Sequence, residues 1–497
     1  MSLFRTKSLD SLRAQAAETS GGLHRTLGPG NLIALGIGAI IGAGLFVRTA
    51  AAAGEAAGAG VTLSFIFAAI GCVFAGLCYA EFAAMIPISG SAYAYAYVTM
   101  GELVAWIIGW ALVLEYALGA ATVANVWTEY FNRMLEVFFH TRVPYEWSHT
   151  PFETLKDVNG QVLATGIVNV PAIGILAVLT ALLIKGTKEA AWVNALIVFL
   201  KVAIVLAFIV VGWGFINPAN HEPYLIPEGV PHHEGFFQHG WGGVLRGAGI
   251  VFFAFIGFDA VSTAAQEAKR PERTMPIGIL GSLAICTVLY ILFAHVLTGV
   301  APWSDFDKSN PQAKGGEASV AYAIATYMKG YNWLADAVTV AILAGFSSVI
   351  LVMLLGQSRV FYSMANDGLL PKIFSELHPK FRTPYKSNWV LFVFVGALAG
   401  LLPGDITGDL TSIGTLFAFV LVCVGVMILR KTDPKVARPF RAPLVPVVPI
   451  LGMLVCGAMI IALDRQTQLA AFGWLLIGLV VYFTYSQKNS KLNPANK

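Results

Sequence analysis

The amino-acid sequence predicts an all-α membrane protein, and three observations carry that prediction. The chain is 57% hydrophobic and only 12% charged, the balance of a molecule solvated largely by lipid. Twelve predominantly apolar stretches, comparable to the roughly 20 residues that cross a bilayer, lie near residues 31–53, 61–86, 101–131, 166–184, 191–216, 246–265, 276–300, 333–362, 388–403, 406–429, 444–463 and 469–486. Basic residues alternate across these stretches. With a cytoplasmic N-terminus, the tails and even-numbered connections hold 22 of the 32 Lys and Arg, the opposite connections hold 8, and Arg48 and Lys201 fall inside stretches, the bias expected of cytoplasmic loops.

Residues 1–30 carry Arg5, Lys7, Arg13 and Arg25 without an apolar run ending in a cleavage site, so they read as a cytoplasmic arm rather than a signal peptide. Gly28-Pro-Gly30 breaks the chain before the first span. That span holds Gly36-Ile-Gly-Ala-Ile-Ile-Gly-Ala-Gly-Leu-Phe46. Each interior glycine costs about 1 kcal/mol against alanine in a helix, so Gly36, Gly38, Gly42 and Gly44 invite unwinding at membrane depth. Unwound backbone is tolerated there only inside protein or along a wet cavity. A small-xxx-small packing face through Gly38 and Gly42 is the alternative.

The second span ends near Pro87, and Tyr93, Tyr95 and Tyr97 alternate in an uncharged segment suited to the interface. In the third span, Glu102, Glu115 and Glu129 are 13 and 14 residues apart, about 20 Å per step on a helix. The outer two can reach the interfaces while Glu115 stays near the midplane. An intramembrane carboxylate marks a functional site or bonds a neighbouring helix.

In the fifth span, Lys201 is the only charge from Ala191 to Trp213. It lies too far from either end for easy snorkelling, which makes it a candidate proton carrier or a permanent tether to carbonyls of another helix. The connections 133–165 and 217–245 are long, and His232, His233 and His239 in the second read as a solvated loop rather than a metal site. The sixth span repeats the irregularity of the first: Ile250-Val-Phe-Phe-Ala-Phe-Ile-Gly257-Phe-Asp259 puts a glycine and a carboxylate mid-span, with Ser262 and Thr263 following. Lys269-Arg-Pro-Glu-Arg273 then marks a cytoplasmic turn. The eighth span carries Ser347-Ser348 and runs into Arg359-Val-Phe-Tyr-Ser-Met-Ala-Asn-Asp-Gly-Leu-Leu-Pro371. Cys72, Cys78, Cys286, Cys423 and Cys456 all fall in apolar stretches without a CxxC pair and read as small hydrophobes.

Breaks in spans one and six are five spans apart. An odd number of spans per repeat inverts the second copy, and discontinuous helices at corresponding positions of two halves point to a transport site. The predicted layout is an arm at 1–30, a first five-helix repeat at 31–216, an inverted repeat at 217–430, two added helices at 431–486 and a cytoplasmic tail at 487–497. Nothing resembles a nucleic-acid patch. No HExxH or GxSxG motif points to an enzyme. A channel would need a continuous polar pore, and a sensor a larger soluble domain than these tails provide.

Gly36 to Phe46, Gly257-Phe-Asp-Ala-Val-Ser-Thr-Ala-Ala-Gln-Glu267 with Arg270-Pro and Pro276-Ile-Gly-Ile, and Arg359 to Pro371 resemble the amino acid, polyamine and organocation (APC) transporter superfamily. Gly101-Glu-Leu-Val-Ala-Trp-Ile-Ile-Gly-Trp110, Leu114-Glu-Tyr-Ala-Leu-Gly-Ala120 and Lys188-Glu-Ala-Ala-Trp-Val-Asn194 are most similar to its cationic amino acid transporter (CAT) branch in bacterial form. The resemblance covers nearly the whole chain. It implies an amino acid permease of the plasma membrane, moving its substrate by proton-coupled symport or by exchange, with both termini cytoplasmic and no cofactor beyond the coupling proton.

The resemblance also implies a substrate bound between spans one, three, six, eight and ten. The N–H groups around Gly42, Ala43 and Gly44 would take its carboxylate, as a helix start with its positive dipole end can. Carbonyls of Ile40, Phe253, Ala254 and Ile256 would take the ammonium, with the Phe253 ring as a lid. Lys201 matches the span-five lysine of proton-coupled members. Glu115 and Asp259 suit Arg or Lys as substrate, but Met353 stands where the animal branch has a small Ser. A shortened pocket favours a small neutral amino acid such as alanine. Gln266 replaces the first of the family's paired acids, leaving Glu267. Twelve spans against the animal branch's fourteen is a further departure, and a small membrane partner on an outer helix is left open.

Overall fold

A computed structural model describes residues 5–7, 27–42, 44–86, 91–156, 161–185, 190–263, 268–307, 319–381 and 383–493. Ala43, Gln266, Glu267 and Lys188 lie outside the described residues. Among the described residues the regular structure is helical apart from one hairpin, Thr154–Lys156 with Val162–Thr165, in the long connection after residue 139.

The main helices are α1 (Pro29–Ile40), α2 (Val61–Met85), α3 (Ser91–Thr99), α4 (Glu102–Phe139), α5 (Val170–Lys185), α6 (Ala190–Gly212), α7 (Gly240–Val251), α8 (Pro271–Val300), α9 (Asn332–Asn366), α10 (Tyr385–Leu401), α11 (Gly404–Thr432), α12 (Val447–Ala462) and α13 (Arg465–Val481). Among the described residues, seven helices are long and apolar enough to cross a membrane, and five more are apolar but shorter. This is a multi-pass, all-α membrane protein.

Both irregular stretches break where their glycines lie. α1 stops at Ile40, Ile41 turns extended (φ −72°, ψ 104°), and helix resumes through wider π-type turns at Gly44–Arg48. α7 tightens into a 3₁₀ turn at Phe252–Phe255 and leaves helical geometry before Ala260–Thr263. The breaks press on each other. A Cβ on Gly44 would fall 2.2 Å from Ala254 Cα, and one on Gly257, whose φ is +108°, would meet the Ala39 carbonyl at 2.9 Å. Only glycine allows either approach.

Around this contact the longest helices pair: α4 packs along α9 and α11, α2 along α8, and α8 also along α1. All five cysteines are buried and unbonded.

The residues expected at the interface are instead interior. Tyr93, Tyr95 and Tyr97 sit on α3 and are buried. Tyr93 donates to Asp367 (2.7 Å) and Tyr97 to Glu102 (3.1 Å), so acids at that end of the bundle give the phenols partners that an interface would have supplied as water. Glu102 is buried too, accepting also from Tyr482 (3.1 Å) and Ser490. Residues 5–7 cross the same end: Lys7 pairs with Asp367, and Arg5 donates to the Leu492 carbonyl (3.1 Å).

Candidate functional site

Lys201 projects from α6 to the open end of α1. Its ammonium donates to the carbonyls of Gly38 (2.7 Å) and Ile41 (2.9 Å), with the side chain 1% exposed. The last carbonyls of a helix have no intrahelical partner and carry its negative dipole end. A cation there meets both needs. Gly345 on α9 makes room for it: a Cβ would stand 2.6 Å from Lys201 Cδ.

Tyr290 on α8 was missed by sequence reasoning. Its hydroxyl lies 2.9 Å from both the Ile40 and the Ala254 carbonyls, one from each break. A phenol has one proton, so two carbonyls share a single donor. In sequence it is one of four hydroxyls in the stretch 276–300, with Ser282, Thr287 and Thr298, and nothing sets it apart.

The other expected residues that the structure describes are all interior. Phe253, Ala254, Ile256 and Asp259 are buried in the second break, and Ile40, Gly42 and Gly44 in the first. Asp259 accepts from Tyr116 (3.2 Å), which follows Glu115 on α4. Glu115 and Met353 are buried as well, and Met353 Sδ would touch a Cβ placed on Gly119, one turn beyond Glu115. The structure thus gathers α1, α4, the second break and α9 around one centre.

Arg48, counted in the sequence only as an intramembrane charge, forms a second centre at the far side of the first break. Its buried guanidinium pairs with Asp409 and lies 3.6 Å from Asp405, both on α11. Acids at 405 and 409, four apart on one helix face, were the available signal. His233, expected in a solvated loop, is buried, with its ring nitrogens near the carbonyls of Pro231 (3.2 Å) and Gly54 (3.0 Å). Among the described residues no three His, Cys, Asp or Glu side chains group as a metal site.

The two broken helices meet at Gly44 and Ala254, with a buried charge on one break and polar groups around both. A family model described as amino acid permease matches residues 27–485. The chain belongs to the amino acid permease family. Within that family it is 43% identical to the branched-chain amino acid permease BcaP of Bacillus subtilis and 39% identical to the methylthioribose transporter of the same organism, each match covering 99% of both chains. It is 34% identical to the vacuolar cationic amino acid transporter 4 of Arabidopsis thaliana, over 87% of this chain and 68% of that one. These relatives are transporters, not enzymes. An amino acid permease binds a small amino acid inside a lipid bilayer and makes or breaks no covalent bond, so its chemistry is recognition and movement.

Proposed function

We infer that this permease is a proton-coupled symporter of L-amino acids that works by alternating access, taking small neutral substrates such as alanine, or cationic ones. The observation that carries this reading is Lys201, a lone buried amine on the carbonyl end of α1. Loss of its proton would remove the positive charge from that end and weaken two charge-assisted bonds, so protonation and the conformation of the break are linked. Gly42, Ala43 and Gly44 are assigned the substrate carboxylate. The carbonyls of Ile40, Phe253, Ala254 and Ile256 are assigned the ammonium, and Glu115, Asp259 and Met353 the side chain. The proton is the coupling ion and no other cofactor is assigned.

A twelve-span arrangement with a five-plus-five inverted repeat accompanies this reading, along with the repeat bounds 31–216 and 217–430 and cytoplasmic termini at the plasma membrane. Packing supports it, because the helices that the repeat would equate lie on one another: α2 on α8, α4 on α9 and α5 on α10. Inverted repeats place their ligand where such halves meet.

The test is uptake of radiolabelled amino acids into proteoliposomes, with and without an inward proton gradient and with sodium absent. Accumulation that needs the gradient and collapses with an uncoupler supports symport. Uptake that requires preloaded amino acid would make the protein an exchanger and leave Lys201 a tether.

A further inference from the structure

Facing stripes of α4 and α9 hold an amide that the transport reading does not use. Met353, Gly356 and Gln357 fall on one face of α9, and Glu115, Tyr116 and Gly119 on one face of α4, by the three- and four-residue spacing of a helix. The two faces meet. A Cβ on Gly119 would lie 2.7 Å from Met353 Sδ, and one on Gly356 would lie 3.3 Å from the Tyr116 ring. Gln357 is therefore one turn beyond Met353 and level with Glu115.

Gln357 is 0% exposed, and neither its Oε1 nor its Nε2 has a hydrogen-bond partner. Neither oxygen of Glu115 accepts a bond of ordinary geometry either; the Thr415 hydroxyl beside it donates to the Thr411 carbonyl at 3.1 Å. Burying an amide without a partner costs more than a typical hydrogen bond gains. Leucine would fill a similar volume without that cost, so packing gives no reason for glutamine here.

We propose that Gln357 is a specificity-determining residue that hydrogen-bonds a hydroxyl on a substrate side chain reaching past Met353, giving preference to threonine and serine over their apolar counterparts. This rests on the reading that the breaks bind an amino acid. An amide supplies one acceptor and donors together, and a hydroxyl engages both. An ammonium engages only the acceptor, and an alkyl group engages neither. A site built to bond a hydroxyl rejects an analogue lacking it far better than an apolar site rejects one that has it.

Threonine and valine are near-isosteres that differ by a hydroxyl for a methyl, so their ratio isolates the contact. In proteoliposomes, threonine should inhibit alanine uptake at roughly tenfold lower concentration than valine, the size of one such bond. Gln357→Leu should bring that ratio to about one, and Gln357→Asn, which keeps the amide on a shorter stem, should retain part of it. Gln357→Met stands in if the leucine variant folds poorly, and ligand-induced thermal stabilisation in detergent reads the same ratio without any coupling. Equal inhibition by threonine and valine in the native protein, or a ratio unchanged in the leucine and methionine variants, overturns the proposal. A native protein that neither takes up nor is stabilised by any amino acid overturns the transport reading instead.

Discussion

Lys201 and Gly38 are 163 residues apart in sequence, yet the ammonium of one lies 2.7 Å from the carbonyl oxygen of the other. The bond ties α6 to the end of the first half-helix. Lys201→Met keeps the bulk of the stem and removes the donor, leaving two buried carbonyls short of a partner at about 1–3 kcal/mol each. Gradient-driven accumulation should fall at least tenfold. Proteoliposome uptake at matched protein content checks this, and undiminished accumulation would sink the assignment.

Tyr290→Phe removes the hydroxyl shared by Ile40 and Ala254 and leaves the ring in its cluster with Phe65 and Phe255. The loss of one buried bond is worth about 1 kcal/mol. The expected outcome is a modest drop in unfolding temperature with a roughly tenfold loss of uptake. A stability loss with normal uptake would make Tyr290 a packing residue.

Met353→Ser opens the space beside Gly119. Truncating a buried methionine to a small residue costs about 2–5 kcal/mol, so the variant should be less stable but accept longer side chains. Competition of alanine uptake by arginine should appear or strengthen, and a folded variant that still ignores arginine would refute the pocket assignment.

The Arg48–Asp409 pair suits a double-mutant cycle. Removing one partner of a buried pair is strongly destabilising, about 3–5 kcal/mol, because a charge is left uncompensated, whereas neutralising both is much milder. Arg48→Gln and Asp409→Asn should each lower thermal stability, and the double variant should recover part of the loss. Additive losses would mean that the two side chains do not share their energy.

His149 carries a pH dependence of stability outside the membrane helices. Its Nε2 is 3.1 Å from Glu129 Oε1, and its ring stacks on Tyr145. Burial alone would lower its pKa, but the hydrogen bond and charge of Glu129, the charge of Glu153 and the Tyr145 carbonyl outweigh that and raise it. A raised folded pKa gives stability that is fully present below the unfolded value, about 6.5, and is lost as pH rises through the folded one. Hydrogen exchange across residues 145–165 should therefore be slower at pH 5.5 than at pH 8.5 beyond the intrinsic rate change, and His149→Gln should flatten the difference.

The sequence shows the helices and the two breaks plainly, because apolar runs and clustered glycines are local signals. Glu115 and Lys201 were visible for the same reason: a charge far from either end of an apolar run stands out on its own. Partners were not visible. Tyr290 reaches carbonyls 36 and 250 positions away, and only the fold brings them together. Arg48 and Asp409 are likewise distant in the chain. The tyrosines of α3 misled because an alternating aromatic pattern next to a span suits an interface, whereas Asp367 and Glu102 take the hydroxyls of Tyr93 and Tyr97 inside the bundle.

The strap of residues 5–7 has a consequence for how that end of the bundle can move. Lys7 pairs with Asp367 and donates its N–H to the Tyr97 carbonyl, while Arg5 donates to the Leu492 carbonyl and accepts at its own carbonyl from the Glu102 N–H. Three residues thus stitch α3, the start of α4, the turn after α9 and the segment after α13 to one another. A movement that parts any of these elements must first release Arg5 or Lys7, so the strap is a catch on that end of the molecule.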